Sequence, residues 1–207
     1  ALTGWEPPDD GAREKFRQLA LNYPELEKER EAADDVKRAQ PILVVLGNPP
    51  YNAFAGIRQD EEVPQDEEVP VDNYKAGLID TWKIKKFNLD DLYIRFFRLA
   101  EHCIAECQPA KGVICYISNF SYLSDPSYVV MRERFLTRFD RFWFDCMNGD
   151  SRETGKVTPD GKPDPSVFST EYNRAGIRVG TAIALMVRKE QGHNDSKKKT
   201  AYFRHFW

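Results

Sequence analysis

The sequence predicts an α/β fold organised around a mostly parallel sheet with an antiparallel hairpin at its edge. Three observations carry this. Residues 42–46 (Ile-Leu-Val-Val-Leu) and 113–118 (Val-Ile-Cys-Tyr-Ile-Ser) are short, continuous apolar runs of the kind found in strands buried on both faces. Between them, Leu89, Leu92, Tyr93, Phe96, Phe97, Ala100, Cys103, Ile104 and Cys107 recur at helical spacing, so one long helix with a broad apolar face is expected. A strand, a long helix and a strand in that order imply a right-handed crossover between parallel strands.

Each element follows in turn. Residues 9–40 are charged and helix-permissive, with Phe16, Leu19, Leu21, Leu26 and Val36 as scattered apolar contacts, and Pro24 divides them into two short amphipathic helices. Pro41 stops that pattern. The first strand ends at Gly47-Asn48-Pro49-Pro50-Tyr51, because prolines remove ladder donors and force the chain out of the sheet. The hexapeptide Gln-Asp-Glu-Glu-Val-Pro at 59–64 recurs unchanged at 65–70, and it is too short and too acidic to pack. Residues 59–72 therefore read as a flexible, solvated insertion. Asn88 and Asp91 offer the helix start, and Pro109 closes the helix. Lys111-Gly112 is a turn into the second strand. After a loop at 119–125, Pro126 suits the first turn of a helix running to about Phe135. Residues 139–147 and 180–188 read as the two strands of the antiparallel edge, separated by a long polar loop over 148–178. Residues 191–207 pass through Lys197-Lys198-Lys199 into the start of a following strand or domain.

At 207 residues, with 41% hydrophobic and 13% aromatic side chains, the chain has material for one sizeable core and not for a second catalytic domain. No run approaches the ~20 apolar residues of a membrane span, and no secretion signal is recognisable at the start. Cys103, Cys107, Cys115 and Cys146 contain no CxxC pair and read as buried thiols of a reducing, cytoplasmic protein. His102 has no second histidine at ligand spacing, which argues against a metal site. Charge is distributed unevenly: residues 1–131 carry 15 Lys/Arg against 23 Asp/Glu, and residues 132–207 carry 15 against 10. That excludes a uniformly basic nucleic-acid coat but leaves a basic face in the last third, where Arg152, Lys156, Lys162, Arg174 and Arg178 are candidates for a DNA-contacting loop.

The informative feature is Asn48-Pro49-Pro50-Tyr51. Ligands of open α/β sheets bind just beyond the carboxyl ends of the strands, where this tetrapeptide falls. Two prolines stiffen it, so that the Asn48 side-chain oxygen and the Pro49 carbonyl are held as two acceptors suited to one NH₂ group. A ring-conjugated amine is a poor nucleophile because its lone pair is delocalised. Accepting both its hydrogens favours the pyramidal geometry in which that lone pair can attack, and Tyr51 offers a face on which the ring stacks.

The run VVLGNPPY resembles the catalytic motif of S-adenosylmethionine-dependent amino methyltransferases, above all the adenine-specific DNA methyltransferases. LDDLYIRFFRLAEHC, KGVICYISNFSYLSDPSYVVMRERF and GIRVGTAIALMVRK are similar to the corresponding regions of the large single-chain type ISP restriction-modification enzymes, so the resemblance covers residues 40–189. It implies a Rossmann-like methyltransferase fold in which Asn48, Pro49, Pro50 and Tyr51 bind the 6-amino group of an adenine flipped out of double-stranded DNA. It also implies Phe120 and Tyr122 as pocket wall.

One departure stands out. The family's cofactor is held by a glycine-rich turn upstream of the catalytic motif, and residues 1–40 contain no such turn. The resemblance therefore implies a helical lead-in (1–40), the catalytic-motif half of a methyltransferase (41–190) and a truncated tail (191–207). The expected partners are DNA and the rest of a parent chain, comprising the cofactor half, a target-recognition domain and possible helicase or nuclease domains. As an isolated piece the chain is expected to be inactive. The alternatives are an RNA or protein-glutamine amino methyltransferase and a non-catalytic half-domain that binds DNA or a partner.

Overall fold

The computed structural model describes residues 41–51, 71–85, 89, 91–107, 110–150, 157–164, 167–172, 179–190 and 199–207, together with Glu25, Lys28, Glu29 and Ala32. The chain divides into two compact units, Ala1–Pro41 and Ile42–Trp207. In the first, Glu25, Lys28, Glu29 and Ala32 are helical and exposed. The rest of the two expected helices, the acidic repeat, Asn88, Pro109, Arg152, Lys156, Arg174, Arg178, His193, Lys197 and Lys198 lie outside the described residues.

The second unit holds a five-stranded sheet: β1 (Val44–Gly47), β2 (Gly112–Asn119), β3 (Arg141–Cys146), β4 (Thr181–Arg188) and β5 (Thr200–His205), in the spatial order β1-β2-β4-β3-β5. β1 pairs parallel with β2, and β3 parallel with β5; β4 runs antiparallel to both β2 and β3. Four strands thus point the same way and one is reversed.

The reversed strand is not at the edge, as the sequence reading has it. β4 pairs along its whole length with β2 and on its other side with β3, and β5 takes the edge. The physical reason lies in the side chains. β4 is buried or half-buried at every position with both its hydrogen-bonding edges paired, whereas every residue of β5 is exposed, as an edge strand tolerates. The long connection after β3 lets the chain return into the gap instead of turning tightly. β5, within the expected following strand or domain at 191–207, pairs into this same sheet beside β3.

Helix α1 (Leu92–Glu101) starts after Asp91 and continues into a widened π turn over His102–Glu106, closed by the Cys107 N–H donating to the His102 carbonyl at 3.0 Å. α2 (Ser121–Ser124) occupies what the sequence reading leaves as a loop. A 3-10 turn at Pro126–Tyr128 leads into α3 (Val129–Arg138), with Asp125 accepting from the Ser127 N–H at 2.7 Å. The four thiols are graded in burial. Cys146 is buried, Cys103 and Cys115 partly so, and Cys107 is exposed because the helix ends there.

α1 and α3 cover one face of the sheet. Phe97 sits at the centre of the core, with ring centroids 5.0 Å from Tyr116, 4.9 Å from Tyr122 and 5.6 Å from Phe135. Burying such rings contributes about 1.5–3 kcal/mol each. Burial along β2 alternates: Ile114, Tyr116 and Ser118 face the helices, while Val113, Cys115 and Ile117 stay partly exposed. The expectation of strands buried on both faces fails because, among the described residues, helices lie on one face only. β1 is more exposed still, with Leu46 73% and Val44 57% exposed. At the start of β2, Gly112 has φ +145°, and a Cβ there would stand 2.3 Å from the Leu43 carbonyl oxygen, so glycine is what lets β1 approach.

Candidate functional site at the carboxyl edge of the sheet

Strand direction gathers five segments at one edge: 48–51 after β1, 120–124 after β2, 147–150 after β3, 179–180 before β4 and 206–207 after β5. β1 and β2 are parallel with Gly47 opposite Tyr116, so Asn48-Pro49-Pro50-Tyr51 leaves the sheet beside the last residues of β2. This places the two stretches singled out by sequence side by side at the end of an open sheet.

Within the tetrapeptide, Asn48 is exposed, Pro49 buried, Pro50 exposed and Tyr51 half-buried. The Tyr51 hydroxyl donates to Asn48 Oδ1 at 2.7 Å. Burial raises the Tyr51 pKa, so the phenol stays protonated and remains a donor. An amide oxygen has two lone pairs, so Oδ1 retains the capacity to accept a second hydrogen. The bond also fixes which way the Asn48 amide faces.

Phe120 and Tyr122, expected as one wall, are separated. Phe120 is 8% exposed and packs with Cys146, Ala182 and Leu123 at the carboxyl edge. Tyr122 is 1% exposed, and its ring lies in the main core against Phe97 and Tyr93. Residues two apart on a helical turn point about 200° from each other, and α2 is such a turn. The Tyr122 ring is therefore packed in the main core. α2 is held at both ends: Asn119 Oδ1 accepts from the Ser121 N–H and hydroxyl, each at 2.8 Å, and Arg132 donates to the Tyr122 and Asp125 carbonyls at 2.9 and 2.7 Å.

The third segment carries residues that the sequence reading missed. Asn148 and Gly149 have φ of +51° and +78°, turning the chain sharply at the end of β3. Asn148 Nδ2 donates to the Phe206 carbonyl at 2.6 Å, and its Oδ1 lies 3.1 Å from His205 Nδ1. Two buried carboxylates then hold backbone amides: Asp164 accepts from the Gly149 N–H and Asp150 from the Gly180 N–H, both at 3.0 Å. The Asn-Gly pair directly after an apolar strand was the available sequence signal; nothing local marks Asp150 or Asp164 as buried.

Of the five basic candidates for DNA contact, Lys162 alone is described, and it pairs with Asp160 at 2.6 Å on an exposed turn. His102 is tied to Glu106, with Nδ1 2.9 Å from Oε2. Among the described residues, no group of three His, Cys, Asp or Glu side chains could hold a metal ion, and no helix is long and apolar enough to cross a membrane.

No protein-family model matches the sequence, and no curated protein matches it significantly. Solved structures do. Over 86% of this chain the fold is similar to part of DrdV in a DrdV–DNA complex, with a TM-score of 0.59, 22% identity and 16% of that chain covered. It is similar to part of the type ISP restriction-modification enzyme LlaGI, a nuclease-deletion mutant in complex with a DNA substrate mimic (TM-score 0.53, 22% identity, 86% of this chain and 15% of that one). It is also similar to part of the ATP-dependent type ISP restriction-modification enzyme LlaBIII bound to DNA (0.52, 23%, 86% and 11%). What these likenesses show is the fold. The chain spans less than a fifth of the length of each of these proteins.

Proposed function

We propose that this chain forms the amine-binding side of an adenine-specific DNA methyltransferase within a larger restriction-modification protein. The observation that carries the reading is the Tyr51–Asn48 hydrogen bond on a proline-stiffened tetrapeptide at the carboxyl edge of parallel strands. Its fold likeness to parts of proteins bound to DNA or a DNA mimic supports a DNA substrate.

In this reading a flipped adenine presents its 6-amino group to the tetrapeptide. Asn48 Oδ1 and the Pro49 carbonyl accept the two amine hydrogens, which draws the nitrogen toward a pyramidal shape with its lone pair directed away from the ring. The Tyr51 hydroxyl holds the Asn48 amide in the accepting orientation. The tyrosine ring and Phe120 border the space where the base is placed, so the contribution is orientation and electrostatics and not proton abstraction.

The expected methyl donor is S-adenosylmethionine. The described residues do not fit it. No glycine-rich turn is among them, and the outer flank of β1 presents the exposed apolar side chains of Leu43, Val44 and Leu46. The proposal accordingly assigns the donor to other parts of the complete protein.

The test is methyl transfer by the complete protein to unmethylated DNA, read as tritium incorporation and as protection from cleavage at the same sites. Asn48→Ala removes an exposed side chain and is expected to lower transfer by about 10²–10³-fold, on the scale of losing one preorganised polar contact, with the unfolding midpoint unchanged. Transfer to RNA or to protein glutamine in place of DNA would redirect the reading, and transfer retained by Asn48→Ala would overturn it.

A further inference from the structure

We propose that Asp150 is a positioning residue that sets the ring of Phe120 through Gly180, an inference that rests on the methyl-transfer reading above. The Asp150 carboxylate is buried and accepts from the Gly180 N–H at 3.0 Å. The Gly180 carbonyl in turn accepts from the Phe120 N–H at 3.1 Å. The ring of Phe120 lies against the Gly180 Cα: a methyl group on Gly180 would stand 1.5 Å from Phe120 Cε1 and 2.3 Å from Cζ.

Gly180 is not among the residues with positive φ, so its backbone does not require glycine. The ring does. A glycine kept for the space above it is only as well placed as the contacts that hold its peptide, and Asp150 supplies one of them. A buried carboxylate is costly unless its charge meets strong donors, and a charge-assisted bond to a backbone N–H is about twice as strong as a neutral one. That cost is explained if the bond fixes the wall of the base site to a fraction of an ångström.

The same loop contains its own control. Asp164 is as buried as Asp150 and makes the same kind of bond, at the same 3.0 Å, to Gly149. Gly149 is not the glycine that packs on Phe120. If both carboxylates merely anchor the loop, their variants behave alike. If Asp150 positions the ring, only its variants alter the chemistry.

The experiment compares Asp150→Ala, Asp150→Asn, Gly180→Ala and Asp164→Ala in the complete protein, measuring kcat and KM for DNA methylation alongside thermal unfolding. Asp150→Ala and Gly180→Ala are expected to lower kcat by about 10–100-fold, the scale of a misplaced reacting group, with KM for the methyl donor within about twofold. Asp150→Asn keeps an acceptor for the Gly180 N–H and is expected to recover most of the lost kcat. Asp164→Ala is expected to lower the unfolding midpoint as Asp150→Ala does while retaining kcat. If Asp150→Ala does not fold, Asp150→Ser against Asp164→Ser gives the same comparison. Equal kcat effects at 150 and 164, or a wild-type kcat in Asp150→Ala, overturn the positioning role alone. A wild-type protein that transfers no methyl to DNA overturns the underlying reading and the inference with it.

Discussion

At the amino end of the strands, where α1 and α3 finish, five charged side chains meet. Glu101, fully buried, lies 3.0 Å from both Arg134 and Arg138, accepts from Tyr74 at 2.9 Å and contacts Arg98 at 3.5 Å. Glu106 lies 2.9 Å from Arg98, 3.0 Å from Arg134 and 3.1 Å from Arg138. At the carboxyl end the order comes from backbone: positive φ at Asn148 and Gly149, two carboxylates on backbone amides, and prolines after β1. In the first cluster the charged groups pair with one another. At the second end, Asp150 and Asp164 hold the main chain, and Asn48 Oδ1, which accepts from Tyr51, retains a second lone pair.

The contrast predicts that the two ends fail in different ways, and the largest effect belongs to the charged one. Glu101→Ala leaves Arg98 almost fully buried without its neighbour and strips Arg134 and Arg138 of one carboxylate. Breaking a buried ionic cluster by removing one partner costs about 3–5 kcal/mol. Urea unfolding should show the loss, while kcat per folded molecule stays at the wild-type value. A large fall in kcat with intact stability would erase the distinction between the ends.

How much of this was legible beforehand divides along the same line. The strand, helix, strand succession and the placement of Asn48 at a strand's end follow from local patterns, apolar runs and prolines, that report on themselves. Phe120 was named through resemblance, and the structure gives its packing against Cys146, Ala182 and Leu123. The position of β4 inside the sheet was not legible, because periodicity says that a stretch is a strand and not which strands flank it. The packing of Tyr122 in the main core was not legible, because a four-residue helix is too short to show a period. Arg98 and Glu101 were passed over because charged residues on an amphipathic helix ordinarily mark its solvated face; here they sit one position after Phe97 and Ala100, on the buried side. Charge that is paired through tertiary contacts leaves no local trace.

The next effect is smaller and depends on pH. Burial alone would raise the Glu106 pKa, but hydrogen bonds from Arg98 and His102 and the charges of Arg98 and Arg138 outweigh it and bring it from 4.5 to about 2. Because the folded value lies below the unfolded one, the carboxylate's contribution is fully present above about pH 4.5 and is lost as pH falls toward about 2. Thermal unfolding followed from pH 6 to pH 2 should therefore fall more steeply in the wild type than in Glu106→Gln. Parallel curves would mean that the amino end does not hold its charge as the geometry requires.

The smallest expected effect lies at the open end and tests its economy most directly. Tyr51→Phe keeps the ring that borders the proposed base site and deletes only the hydroxyl that donates to Asn48 Oδ1 at 2.7 Å. A single hydrogen bond of this kind contributes about 0.5–1.5 kcal/mol, so kcat should fall by roughly 2–10-fold if its role is to orient the Asn48 amide. Stability should barely move, since the bond is exposed. The sign is informative as well as the size. If the hydroxyl instead competes with the substrate amine for Oδ1, removing it raises kcat or lowers KM for DNA. Initial rates for Tyr51→Phe against Tyr51→Ala, which removes the ring too and should lose more, separate orientation by the hydroxyl from stacking by the ring.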